Sequence, residues 1–144
     1  MANSDHTRIG AEFQNRVLEW FKDHRGPGFE LEVKKPIGNP PKDHKFDIVD
    51  PERRIAIECK RFTWTESGNV PSAKIRTLNE AAFFLSFLPD DYEKYIVMLR
   101  DFNTKRGETL AEYYFRAYHH LLGRIVVAEY DPASGEMTFV KQGL

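Results

Sequence analysis

Only one of the 144 residues is a cysteine, Cys59. That excludes an internal disulfide framework and any metal site built from cysteines alone. No apolar run approaches the ~20 residues that a membrane helix needs. Residues 1–8 are polar and lack the apolar core of a secretory signal, so a cytoplasmic protein without a membrane partner is expected. Internal repeats, low-complexity tracts and interdomain linkers are missing too, and residues 1–144 read as a single domain of ordinary size. Net charge is almost absent, with 21 Lys and Arg against 22 Asp and Glu. As a total, that gives no sign of a polyanionic partner.

What is present tells more. Hydrophobic residues make up 41% of the chain and aromatics 13%, enough for a packed core and against disorder. The charge balance also conceals a separation. Residues 34–76 hold ten basic and six acidic side chains, a surplus of four, and the remainder carries a deficit of five. A local basic field attracts phosphate even on a nearly neutral molecule, although a lysine-rich solvated surface has the same composition.

Hydrophobic periodicity orders the elements. A helix is expected over 7–24, with Ile9, Phe13, Val17, Trp20 and Phe21 on one stripe and Gly26-Pro27-Gly28 ending it. Strands follow over 29–35, 45–49 and 54–62, the last two joined by a tight turn as an antiparallel hairpin. A second helix runs from Ser72 toward Pro89 with Ile75, Leu78, Ala82, Leu85 and Leu88 inward. A buried strand is expected over 95–100. Thr109 and Glu112 form a capping box for a third helix ending before Gly123, and a hairpin over 124–140 closes the chain. Interleaved helices and strands specify a layered α/β domain with a mixed sheet.

The residues with chemical content lie in KFDIVDPERRIAIECKRF, residues 45–62. Side chains alternate along a strand, so Glu58 and Lys60 share one face with Ala56, while Ile55, Ile57 and Cys59 share the other. The turn folds Asp47 back toward Glu58. Two carboxylates and an amine then converge on one patch of sheet. Magnesium takes oxygen ligands, often one or two carboxylates with substrate phosphate and water. An adjacent lysine stabilises developing negative charge.

Asp47 followed by Glu58-Cys59-Lys60, with Ile55-Ala56-Ile57 leading in, resembles the PD-(D/E)XK nuclease superfamily, which includes restriction enzymes and Holliday junction resolvases. The order of elements agrees over residues 9–100. The resemblance implies a three-layer, restriction endonuclease-like core with a central mixed sheet flanked by helices. It implies an Mg-dependent endodeoxyribonuclease (with Mn able to substitute) acting on duplex or branched DNA. Asp47 and Glu58 would hold the metal with the backbone carbonyl of Cys59, and Lys60 would act on the attacking water. Phe46 stands where the family usually has proline, which is not a ligand. Glu32-Val33-Lys34 also satisfies E-x-K, but its upstream acid, Asp23, sits at a helix end rather than on a partner strand.

Other residues carry two readings each. Many family members place a glutamate from the first helix at the metal. Gln14 borders the apolar stripe here and is the better candidate to reach the sheet, with Glu12 turned to solvent. Candidate substrate contacts are Gln14, Lys45, Arg61, Lys74 and Arg76. Lys74 and Arg76 read as phosphate contacts or as solvated helix charges. Trp64 reads as a base-stacking aromatic or as packing, and His44 as a phosphate contact or a surface histidine. The broad apolar arc of the third helix reads as core or as a homodimer contact. A non-catalytic nucleic-acid-binding or interaction module on the same fold is the rival function.

Overall fold

The computed structural model describes residues 2–141, with side chains from Arg8 onward; Met1, the first residue of the polar N-terminal stretch, lies outside the described residues. The chain opens with helix α1 (Ala2–Arg25). Gly26, at φ +116°, takes the chain out of the helix, and its N–H donates to the Lys22 carbonyl. Strands β1 (Glu30–Ile37), β2 (Lys42–Asp50) and β3 (Ile55–Lys60) follow as an antiparallel meander. Helix α2 (Ser72–Ser86) crosses over to β4 (Glu93–Leu99), which pairs parallel with β3. A two-stranded ribbon of β5 (Phe102–Asn103) and β6 (Glu108–Thr109) leads into helix α3 (Leu110–Leu122). Strand β7 (Val126–Asp131) then pairs parallel with β4, and β8 (Glu136–Phe139) pairs antiparallel with β7.

The result is a six-stranded mixed sheet in the order β1-β2-β3-β4-β7-β8 between two helical layers. On one face, Phe13, Val17, Leu18 and Phe21 of α1 pack on Ile48, Ile55, Ile57 and Val97. On the other, Ile75, Leu78, Ala82 and Leu85 of α2 and Leu110, Ala111 and Tyr114 of α3 cover Val49, Ala56, Ile96, Met98 and Val127. Each Val, Leu, Ile, Met or Phe among them contributes about 1.5–3 kcal/mol on full burial. All five residues of the stripe expected for the second helix are buried, although α2 ends at Ser86 and Leu88 lies beyond it.

Local chemistry fixes the boundaries. Thr109 Oγ1 accepts the Glu112 N–H at 3.0 Å, and Glu112 Oε1 accepts the Thr109 N–H at 2.8 Å, so the capping box is complete. The β2–β3 turn is fastened by Asp50, whose Oδ1 accepts the Arg53 N–H at 3.0 Å. Among the described residues no helix is long and apolar enough to cross a membrane.

Candidate active site at a break in the sheet

Strand β2 does not keep one alternation along its length. His44 and Phe46 lie on the α2 side, whereas Ile48 belongs to the α1 side. The switch falls at Asp47. The β1–β2 ladder pairs Leu31 with Ile48 and Val33 with Phe46 but skips the rung between them, where Glu32 has φ +54°. The β2–β3 ladder runs from Asp50↔Ile55 to Ile48↔Ile57 and stops there. Beyond that point the two strands part, and side chains fill the opening.

Asp47 bridges it. Its Oδ2 accepts the backbone N–H of Cys59 at 2.8 Å, replacing the missing ladder bond. Its own carbonyl accepts Gln14 Nε2 from α1 at 3.2 Å. Gln14 therefore reaches the site, as the stripe predicts, and it holds the backbone of Asp47. Glu12 is exposed and pairs with Arg8 at 3.4 Å.

Strand β3 keeps the expected alternation. Cys59 packs partly buried on the α1 side, where burial pushes its thiol up. Ala56, Glu58 and Lys60 face α2, with Ala56 in the core on that side. Glu58 is only 4% exposed. Burial and the neighbouring Asp47 carboxylate push its carboxyl up to about 9, and the nearby Lys60 ammonium works against that rise. Glu58 Oε1 also meets His44 Nε2 at 3.2 Å. The N–H and C=O of one strand residue point to the same side, so the Cys59 carbonyl opens on the gap into which its N–H donates.

This donor set fits a hard divalent cation. It offers two carboxylates and a backbone carbonyl, all oxygen, in a place where burial and mutual repulsion disfavour two adjacent negative charges unless a cation offsets them. It is sparse, since among the described residues no group of three or more His, Cys, Asp and Glu side chains is arranged to hold a metal. The first E-x-K lies on edge strand β1. Glu32 is exposed and sits 3.9 Å from Lys45.

The candidate substrate contacts divide. Arg61 follows Lys60 directly and is exposed. Lys74 is exposed and lies over the Phe62 ring at 5.3 Å, and Arg76 is exposed one position past buried Ile75. Lys45 is exposed beside Glu32. Trp64 is held as packing. Its backbone N–H donates to Asp101 Oδ2 at 2.8 Å and its Nε1 to the Asp101 carbonyl at 2.9 Å, under the Arg106 guanidinium. The arc of α3 also splits, with Leu110, Ala111, Tyr114 and Leu122 buried and Leu121 exposed.

His44, read from the sequence as a phosphate contact or a surface histidine, makes a contact with Glu58 that pattern reading misses. Regular alternation places it opposite Asp47, and only the break in β2 brings it to Glu58. The one signal in the chain is proximity, three residues before the first acid. Comparison with models of known families and with curated proteins finds no match.

Proposed function

We propose that the chain is a metal-dependent nuclease of the PD-(D/E)XK type that hydrolyses phosphodiester bonds of DNA. The observation that carries this reading is the buried Glu58 beside Asp47 at a parting of two strands, with Lys60 on the same face as Glu58. In this reading Asp47, Glu58 and the Cys59 carbonyl hold magnesium, or manganese in its place. A bound ion of this kind acidifies water and neutralises charge on the phosphodiester. Lys60 orients the attacking water and stabilises the negative charge that develops on the phosphate. Gln14 keeps Asp47 aimed by fixing its backbone. Lys45, Arg61, Lys74 and Arg76 supply phosphate contacts that position the strand without reading bases. DNA as substrate accords with a cytoplasmic location, and a two-fold homodimer would let two copies cut both strands.

A second reading, a non-catalytic DNA-binding module, draws on the sparse donor set and on an amide at position 14 where a carboxylate would add a ligand. The two separate in one experiment. Purified protein is offered a four-way junction, a plain duplex, a flap and single-stranded DNA, with magnesium or manganese and then with chelator. A nuclease cleaves at least one of them, and only with the metal. A binding module retains DNA with steep salt dependence and cleaves none.

A further inference from the structure

His44 is built into the site more firmly than a surface histidine would be. Its ring stacks on Phe84 of α2, with centroids 4.0 Å apart and planes at 16°. Phe46 meets it edge-on at 4.6 Å and 76°. These two contacts set the ring plane, and the ring plane sets where Nε2 points. It points at Glu58 Oε1, 3.2 Å away. Glu58 is itself buried, with Asp47 as its side-chain hydrogen-bond neighbour and His44 as the contact from the α2 side.

We propose that His44 is a positioning residue for the cation site: its Nε2–H donates to Glu58 and fixes that carboxylate relative to Asp47. The proposal rests on the reading that Asp47 and Glu58 hold a divalent cation. A metal ligand with rotational freedom loses affinity, because its orientation must be fixed each time the ion binds. Partners that orient a ligand are typically worth 10–100-fold in metal affinity. Here the orienting chain runs from helix α2 through Phe84 and His44 to Glu58. The packing of a helix is thereby tied to the geometry of a ligand on the sheet.

The hydrogen bond and the aromatic stack are separable by substitution. His44→Phe keeps a ring against Phe84 and removes the donor. His44→Gln removes the ring and keeps an N–H at about the reach of Nε2. Manganese is titrated calorimetrically into wild type, both variants and Glu58→Gln, with melting curves taken in parallel to establish that each is folded. We expect His44→Phe to bind manganese at least about 10-fold more weakly than wild type, and His44→Gln to stay within about threefold. If His44 serves packing alone, the order reverses or both variants bind like wild type, and the proposal is overturned while the metal reading stands. If wild type takes up no manganese, or Glu58→Gln takes up as much, the metal reading itself fails and this proposal with it.

Discussion

Glu58 shows how one residue links stability to the proposed chemistry. An ordinary glutamate titrates near 4.5, and here burial and Asp47 push the folded value up to about 9. A carboxyl that holds its proton more tightly in the folded state stabilises the fold fully below the unfolded value. That contribution is lost as pH rises through the folded value. The melting temperature of the metal-free protein should therefore fall between about pH 4.5 and pH 9 on account of this group. Glu58→Gln should flatten that slope and melt several degrees above wild type at pH 8. Magnesium should raise wild type and leave the variant where it is. Equal pH profiles for the two proteins would contradict the account. The position of Glu58 follows from strand alternation alone, whereas that of His44 does not. It depends on the switch of faces at Asp47, opposite a Glu32 at φ +54°, and neither feature has a composition signature.

Among the elements, those written in contiguous residues were readable and those made by distant ones were not. The α3 start is a local exchange between Thr109 and Glu112, so a T-x-x-E pattern suffices to find it. Thr109→Ala should cost about 1 kcal/mol of stability, seen as a lower urea midpoint at unchanged slope. A loss within a few tenths would mean that the cap is dispensable. The β2–β3 hairpin and the α2 stripe were likewise legible, because periodicity and the Asp50 turn are local. The β5–β6 ribbon was not, since two-residue strands carry no period. Nor was the fate of Trp64, which is decided by Asp101, 37 residues away. In the second helix, Leu85 is fully buried between α2 and the sheet, and Leu85→Ala should cost about 2–5 kcal/mol. Chemical denaturation reads that loss directly, and a change below 1 kcal/mol would contradict the packing described.

For the whole molecule, the near-neutral total is an average over charges placed differently. Arg53 and Arg54 count toward the basic stretch of residues 34–76 but stand at the β2–β3 turn, at the other end of β3 from Lys60, beside Asp50 and Asp91. Fewer cations than the sequence count remain near the site. DNA binding should therefore depend only moderately on salt, with a slope of log affinity on log salt of about −3 to −4. Lys74→Ala and Arg76→Ala should each make that slope shallower by about one, measured by fluorescence anisotropy across salt concentrations. A slope as steep as −8, or no change in either variant, would require a different DNA-binding face. The central claim is that Asp47, Glu58 and Lys60 hydrolyse a phosphodiester, and the most direct test is the magnesium-dependent cleavage rate of Lys60→Ala beside its DNA affinity. The expected rate is at least about 100-fold below wild type, with affinity within about threefold. Cleavage by Lys60→Ala at the wild-type rate, or none by either protein, would contradict it.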